Sequence, residues 1–318
     1  MFGEENACSQ LSTIVAGSNT TPPTNRMTAT PFSSTCRKQG LWLTALLAVL
    51  LGGFFGWQHF APVTVADGWS FRVYLDGIPH VSALAKDREG ALYISKELGN
   101  GRGILFSRAA DASLTQIVVG LSKPDGLVAF REGIVISQEE GDLPVLWLHG
   151  GQMDTLFQGR SVEGLATDGQ SLYAVEDRKG DGRLLRFDPL TRVLTVLRSG
   201  LSEAEGVAIC PDRQLFYAEK GKRWVKRWQA DGADVLVLEQ LNAPGFLMCN
   251  DEGLWITEDA THRARLLLLD RTTGSLQTIL SGLRSGQTVL SLAPGHLLLA
   301  EQGRGRVLEV ERLPIPSR

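Results

Sequence analysis

SVEGLATDGQSLYAVEDRKGDGRLLRFDPLTRVLTVLRSGL, residues 161–201, is the stretch that decides the fold of this chain. It contains four short apolar or alternating runs, and each run has the length of a β-strand. The breaks between the runs are Asp-Gly-Gln, the polar loop 176–182 and the segment 188–191, and all three have turn chemistry. The stretch is therefore predicted to form a four-stranded antiparallel meander.

The same pattern recurs along the chain, each time as an apolar strand that follows an acidic or turn residue and Gly. Clear copies are KPDGLVAF, SVEGLATD, EAEGVAIC and NAPGFLMC, and weaker copies are PHVSALAK and SGQTVLSL. The residues that begin the six copies, called here the strand-start set, are Ser82, Asp125, Glu163, Glu205, Pro244 and Gln287. They lie 38 to 43 residues apart. With four strands per repeat, this is the period of propeller blades.

The sixth repeat supplies three strands, the last of them RVLEVERL, and no fourth strand follows. The alternating run WSFRVYLDGI, residues 69–78, precedes the first repeat and can take the missing place. That pairing would leave no radial sheet edge exposed. We therefore predict an all-β fold, a six-bladed β-propeller over residues 68–314, closed by its own N-terminal strand.

Residues 41–60, LWLTALLAVLLGGFFGWQHF, are apolar and long enough to span a bilayer as a helix. Arg26, Arg37 and Lys38 precede this segment, and Asp67 is the first charge beyond it. The asymmetry predicts a single-pass membrane protein with a cytosolic N-terminus and a periplasmic or otherwise extracytoplasmic propeller. Weak cleavage chemistry after the segment favours an uncleaved anchor over a signal peptide.

The composition of the chain excludes several function classes. Its 318 residues suffice for one large domain and an appendage, and residues 1–40, rich in Ser, Thr and Pro, are predicted to be disordered. The net charge of −3, with both signs interspersed, indicates no nucleic-acid partner. The sequence has no GxSxG, HExxH or P-loop motif, which disfavours serine-triad hydrolysis, zinc proteolysis and nucleotide use.

Cys210 and Cys249 take the same place in adjacent repeats, at the ends of VAIC and FLMC. Thiols on apolar strands most often pack in the core, so we expect free buried thiols here, with a disulfide as the alternative. The four cysteines form no CxxC or Cys/His spacing that would bind zinc.

Three acids of the strand-start set, Asp125, Glu163 and Glu205, belong to consecutive repeats. Because the first strand of each blade lines the axis of a propeller, these side chains are predicted to meet at the mouth of a narrow channel. Carboxylates held that close raise one another's pKa unless a cation or a proton joins them. A hard divalent ion, Ca²⁺ before Mg²⁺, is therefore one interpretation. The alternative is that acid-Gly pairs are good turns whose charges are solvated.

A second set of residues closes the second strand of each repeat on the same face of the disc. The set is Lys96, Gln138, Glu176, Glu219, Glu258 and Glu301. Its four acids each face an arginine across their own hairpin, namely Arg183, Arg223, Arg265 and Arg306. This favours structural ion pairs, and substrate contacts from Glu176 and Glu258 are the alternative.

Two histidines, His80 and His262, are predicted to reach the same face of the disc. An imidazole there could act as a general base near neutral pH. We take His262 as a candidate catalytic residue and His80, with Gln287, as a candidate substrate ligand.

The repeat, together with KPDGL at Lys123 and GRLLRFDP at Gly182, resembles a known family. It is that of the calcium-dependent six-bladed propellers of the senescence marker protein/gluconolactonase/luciferin-regenerating superfamily, with strictosidine synthase-like and paraoxonase relatives. The resemblance implies a metal held by side chains at the starts of the inner strands, with one acidic ligand also serving as base in lactone hydrolysis. By position, Asp125, Glu163 and Glu205 match those places, and Glu205 becomes the second candidate catalytic residue.

Two hypotheses from different classes follow from these observations. The first is a membrane-anchored, exported, Ca²⁺-dependent hydrolase of lactones or small esters, with a small-molecule substrate. The second is a non-catalytic propeller that binds a protein or a small ligand at the same face.

Overall fold

The computed structural model describes residues 34–108 and 113–314. The chain divides after His59 into two compact units. Helix α1, Ser34–Phe60, forms the described part of the first unit, and its segment Gly40–Gln58 is long and apolar enough to cross a membrane. The helix contains the predicted segment 41–60 and begins earlier. The prediction of disorder for residues 1–40 falls mostly outside the described residues.

The second unit is a six-bladed β-propeller, as the sequence predicts. Two strands precede the first repeat, β1 (Thr64–Val65) and β2 (Trp69–Leu75). Blades one to three consist of β3 (Val81–Lys86), β4 (Leu92–Lys96), β5 (Gly103–Arg108), β6 (Leu114–Leu121), β7 (Leu127–Phe130), β8 (Gly133–Ile136), β9 (Pro144–His149), β10 (Gln152–Gln158), β11 (Val162–Thr167), β12 (Leu172–Glu176), β13 (Lys179–Asp188) and β14 (Val193–Ser202).

The remaining blades follow in chain order. They consist of β15 (Ala204–Ile209), β16 (Leu215–Glu219), β17 (Trp224–Arg227), β18 (Val235–Leu238), β19 (Pro244–Asn250), β20 (Gly253–Glu258), β21 (Ala264–Leu269), β22 (Leu276–Leu283), β23 (Gly286–Ala293), β24 (His296–Glu301) and β25 (Arg306–Arg312). Short 3₁₀ turns, Lys220–Lys222 and Gln302–Arg304, follow the second strands of blades four and six.

The ring closes where β2 pairs antiparallel with β25 and completes blade six. This confirms the predicted closure by the N-terminal strand. One strand was not predicted: β1 pairs with β22 and adds a fifth strand to blade five, with Thr64 opposite Ser281. A two-residue strand is too short to show alternation in a sequence.

The core is divided among the blade interfaces. Six clusters of buried apolar side chains each join two neighbouring blades, including the pair of blades one and six that closes the ring. At the interface of blades five and six, Trp69 meets Trp255 edge to face, with ring centroids 5.7 Å apart. The apolar side chains buried between blades therefore hold each inner strand against the next, and this packing determines which side chains face the axis.

Cys210 and Cys249 form a disulfide between the inner-strand ends of blades four and five, with 4.9 Å between their Cα atoms. The expectation of free thiols is therefore wrong. Neighbouring inner strands run side by side around the axis, so equivalent positions in successive repeats come within bonding range.

Candidate functional site

A left-handed backbone residue precedes the inner strand of every blade, two positions before its axial residue. The six are His80, Lys123, Ser161, Glu203, Ala243 and Ser285, with φ between 49° and 61°. In each blade the carbonyl of this residue accepts the backbone N–H of a residue one to three positions beyond the end of the second strand, at 2.8 to 3.0 Å. Such dihedrals are uncommon for residues other than Gly, and the strain they store is often found at functional sites. Here they hold two loops of each blade together at one end of the channel.

Strand pairing fixes which residues form the inner ring around the axis. Val162, Ala204 and Pro244 each pair with the last residue of the second strand of their blade. The residue after each of them is therefore the equivalent axial position, and in blade five it is Gly245. The inner ring is Ser82, Asp125, Glu163, Glu205, Gly245 and Gln287. Placing Pro244 in the strand-start set was wrong by one residue, because the motif NAPG was aligned on its turn rather than on its pairing.

A second ring, the mouth ring, lies beside the inner ring and was missed by the sequence analysis. It consists of the residues beyond the second strands that donate their N–H groups to the left-handed residues, namely Glu97, Glu139, Asp177, Lys220, Asp259 and Gln302. The second set predicted from the sequence consists of the preceding residue in each case. Successive side chains of a strand point to opposite sides, so a shift of one residue exchanges the blade interior for the axis. The signal was present as pairs of polar residues at every repeat, such as Glu176-Asp177 and Glu258-Asp259.

Three of the preceding residues, Glu176, Glu258 and Glu301, form the ion pairs that the first interpretation of the second set predicts. Glu176 is fully buried, 2.5 Å from Arg183, and also accepts the N–H of Arg160. Glu258 likewise lies 2.5 Å from Arg265 and accepts the N–H of Asn242. Their carboxylates are thus occupied inside the blades, and their predicted role as substrate ligands is not carried further.

The same ion pair forms between Glu301 and Arg306, at 2.6 Å. The predicted pair of Glu219 and Arg223 is wrong. The guanidinium of Arg223 donates to the carbonyl of Leu241, and Glu219 accepts the indole N–H of Trp224 instead, at 2.7 Å. In the hairpin register Trp224 lies opposite Glu219, as Arg306 lies opposite Glu301, and Arg223 is the left-handed residue that ends the 3₁₀ turn, so the predicted partner was one residue away.

On the side of blades two and three, three carboxylates face one another, and we call this group the open flank. Glu139, Glu163 and Asp177 each offer an oxygen within 4.8 Å of the others. Glu163 Oε2 and Asp177 Oδ1 are buried and have no hydrogen-bond partner among the described residues. Burial, with the charges of Glu205 and Asp125, raises the pKa of Glu163 well above its usual range. Burial and Glu139 raise the pKa of Asp177 to about 6.

Asp125 lies beside the open flank, in a second group with Glu97 and Glu139. This group already contains a cation, because Lys123 Nζ lies 3.3 Å from Glu97 and forms an ion pair with Glu139. Asp125 also accepts a short hydrogen bond from Ser82 Oγ. Burial, with Glu97 and Glu139 next, raises the pKa of Asp125.

On the side of blades four and five, an ammonium group joins the acids, and we call this the lysine flank. Lys220 Nζ lies 2.5 Å from Glu205 Oε1 and 2.6 Å from Asp259 Oδ2. Asp259 further accepts from Gln287 Nε2 at 2.9 Å and from Ser285 Oγ. Gly245 leaves room for this arrangement, since a Cβ there would lie 3.2 Å from Glu205 and 3.3 Å from Asp259.

The inner ring brings together four of the eight predicted site residues, Asp125, Glu163, Glu205 and Gln287. Asp125, Glu163 and Glu205 all face the axis, buried, and the charges of Asp125 and Glu205 both act on Glu163. Each nevertheless has different nearest partners, and as a joint ligand set the three remain a prediction. His80 is exposed, and His262 Nδ1 is buried without a hydrogen-bond partner among the described residues. Their roles likewise remain predictions.

The open flank fits a hard divalent cation. Its donors are carboxylate oxygens, two of them unpartnered within the described residues, which is the ligand chemistry that Ca²⁺ and Mg²⁺ select. Beyond the inner ring, apolar residues of all six inner strands line a cavity of about 260 Å³. The acidic side chains are therefore concentrated at the mouth, and Lys86 is the charged residue among those that line the cavity.

Residues 166–232 match the family model described as strictosidine synthase. This segment carries Asp177, Glu205 and Lys220 of the two rings. A search of curated proteins finds no match to the chain.

Solved structures share the six-bladed fold at low sequence identity. A gluconolactonase from Xanthomonas campestris is 15% identical, with a TM-score of 0.64 over 79% of this chain and 91% of that one. A luciferin-regenerating enzyme is 14% identical, with a TM-score of 0.60 over 77% and 95%. The PQQ-bound aldose sugar dehydrogenase from Streptomyces coelicolor is 16% identical, with a TM-score of 0.60 over 78% and 99%. These matches confirm the resemblance seen in the repeat, and at such identities they show the fold alone.

Proposed function

We propose that this propeller is a divalent-cation-dependent hydrolase of lactones or small esters, working at the mouth formed by the two rings. The observation that carries the proposal is the open flank. Glu163 Oε2 and Asp177 Oδ1 are buried, unpartnered among the described residues, and set among further carboxylates. Buried oxygens of this kind are costly unless a cation or a proton satisfies them.

Glu139, Glu163 and Asp177 would hold the cation, with Ca²⁺ the first candidate because every donor is an oxygen. A bound divalent cation supplies Lewis acidity to a carbonyl and lowers the pKa of water. Asp125 shares Glu139 with this group, because Glu97, Asp125 and Glu139 form the neighbouring carboxylate cluster, and it could add a further carboxylate.

Glu205 is the proposed general base. Lys220 holds its Oε1 at 2.5 Å, while Oε2 is buried without a hydrogen-bond partner among the described residues. One oxygen is thus fixed and the other is free to take a proton from water. Burial raises the pKa of Glu205 although Lys220 opposes the shift, and a raised carboxyl pKa suits proton transfer near neutral pH.

The comparisons support the substrate class without fixing it. One structure that shares the fold is a gluconolactonase, and the segment matched by the strictosidine synthase model carries Asp177, Glu205 and Lys220. A lactone or small ester places one polarisable carbonyl among these groups.

A panel of sugar, homoserine and aromatic lactones, assayed with Ca²⁺ and with chelator, tests the proposal. We expect turnover of at least one member with Ca²⁺ and its loss with chelator. The control is Glu132→Gln, an exposed acid in the turn between β7 and β8, which should behave as wild type. No turnover on any lactone, with ligand binding retained at the mouth, would replace the hydrolase with a non-catalytic binding propeller.

We also propose that α1 anchors the propeller in a membrane, with the propeller on the extracytoplasmic side. Gly40–Gln58 has the required length and composition, and the Cys210–Cys249 disulfide suits an oxidising compartment. The protein should remain in the membrane pellet after carbonate extraction, and the propeller should be cleaved by protease added outside the cytosol. Release into the soluble fraction would indicate a cleaved signal peptide instead.

A further inference from the structure

We infer that Lys220 is a tethered cation that fills a second carboxylate pocket in the mouth and so limits the site to one divalent ion. The inference rests on the proposed function in one respect, because it takes the open flank as the place of that ion. It assigns to Lys220 control over the number of divalent ions that bind, a role that the proposed chemistry does not itself require.

Lys220 stands at a ring position where most blades have an acid. The equivalent mouth-ring residues of blades one, two, three and five are Glu97, Glu139, Asp177 and Asp259. The backbone of Lys220 is fixed like theirs, since its N–H donates to the carbonyl of Glu203 at 2.8 Å. The side chain of Lys220 is therefore delivered to the place where blade three delivers the carboxylate of Asp177.

On this flank the ammonium group of Lys220 neutralises carboxylates that a metal ion would otherwise neutralise. Nζ contacts Glu205 Oε1 at 2.5 Å and Asp259 Oδ2 at 2.6 Å, and so joins acids of blades four and five. The inner-ring acids of blades three and four thus have mouth-ring neighbours of different charge: Glu163 has the acid Asp177, and Glu205 has the cation Lys220.

The pocket around Lys220 has further oxygen donors that no group uses. Glu205 is 2% exposed and Gln287 is 3% exposed, and Glu205 Oε2 and Gln287 Oε1 have no hydrogen-bond partner among the described residues. Without the ammonium group, two carboxylates and an amide oxygen would surround a space that suits a hard cation. The buried carboxylate of Glu205 and the partly buried carboxylate of Asp259 would be costly to place together without a cation.

We expect that a lysine placed on the open flank would exclude a cation there in the same way. In Asp177→Lys, an ammonium group would occupy the open flank between Glu163 and Glu139, as Lys220 does between Glu205 and Asp259. That variant should keep its fold without any cation and should lose the ion that wild type binds.

The experiment is equilibrium dialysis of the purified full-length chain, freed of metal by chelator, against radioactive Ca²⁺. We expect one Ca²⁺ per chain for wild type, about twice that for Lys220→Met, and less than a tenth of it for Asp177→Lys. The matched control is Lys222→Met, which removes an exposed lysine of the same 3₁₀ turn and should bind as wild type. Lys220→Arg keeps the charge and should also bind one ion, and Lys220→Met with Glu205→Gln should return to one.

The outcomes separate this inference from the proposed function. Wild type with one ion and Lys220→Met also with one would overturn the tethered-cation inference and leave the hydrolase standing. Wild type with none and Lys220→Met with one would support the role of Lys220 and remove the open-flank ion. If Lys220→Met does not fold, Asp177→Lys decides, and one bound Ca²⁺ in that variant would overturn the inference.

Discussion

The open flank and the lysine flank are two parts of one mouth, built by the same turn and the same strand pairing. In both, an inner-ring glutamate lies buried beside a mouth-ring side chain held by a left-handed residue. They differ in the charge of that mouth-ring side chain, which is Asp177 in blade three and Lys220 in blade four. On the lysine flank Lys220 contacts both acids, whereas on the open flank Lys123 pairs with Glu139 alone, and Glu163 and Asp177 are left for a cation or a proton.

This difference shows how one repeated turn can place charged groups of different compensation in the same mouth. Lys220, held by Glu205 and Asp259 against the opposing effect of burial, has a raised pKa and remains charged. Glu163 and Asp177 have raised pKa values because burial and neighbouring acids act on them without a lysine in contact. A charge is stable in such a place only when a partner stands within a few ångströms.

The largest expected effect is on the open flank. Glu163→Gln should lower kcat/KM for the best lactone about 10³-fold, since it removes a buried cation ligand from the proposed reaction centre. Steady-state hydrolysis across a Ca²⁺ titration is the measurement, with Glu132→Gln as the matched control. Activity within threefold of wild type would remove Glu163 from the mechanism.

Glu205→Gln should act differently, because Glu205 lies on the lysine flank. We expect kcat to fall about 10²-fold, as for loss of a general base, while Ca²⁺ affinity stays within about threefold. Kinetics and Ca²⁺ titration of the same preparation measure both quantities. A parallel loss of Ca²⁺ affinity would mean that the two flanks share one ion, which would abolish the distinction between them.

A pH series under chelator tests the uncompensated acids. The folded-state pKa of Asp177 is about 6, above its ordinary value of 3.8, so the folded state keeps a proton that the unfolded state has released between these values. The free energy of unfolding therefore falls as the pH rises through this window. We expect Tm to fall by about 2–5 °C between pH 4 and pH 6, and Ca²⁺ to cancel the fall.

Asp177→Asn supplies the control for this series, because it removes the titrating group. The variant should show a smaller fall in Tm over the same window. A Tm that instead rises with pH in the chelated wild type would contradict the raised pKa.

The smallest effect on turnover is expected inside the blades. Glu258→Gln weakens the contact with Arg265 and the N–H of Asn242, and should lower the free energy of unfolding by about 1–2 kcal/mol. Turnover should remain at the wild-type level, because this carboxylate is occupied away from the mouth. Denaturant unfolding and lactone kinetics measure the two effects. A loss of turnover without loss of stability would restore Glu258 as a substrate ligand.

The fold was largely predictable because its signals are local and repeated. Six copies of one strand pattern predicted six blades, and the alternating run before the first copy predicted the strand that closes the ring. The predictions were wrong where a shift of one residue along a strand changes which side chain faces the axis. Pro244 was placed in the strand-start set instead of Gly245, and Glu176 was chosen instead of Asp177 for the mouth. Adjacent residues on a strand face opposite sides, and only the hydrogen-bonded pairing identifies the side.

The sequence by itself determined the period, the strand content and the presence of an acid near the start of several inner strands, because turn chemistry and alternation depend on neighbours in the chain. Tertiary structure alone decided which acids meet. Glu205 and Asp259 are far apart in the chain and share Lys220 only because blades four and five pack side by side around an axis. The compensation of a buried charge depends on distance in space, which a linear order of residues does not contain.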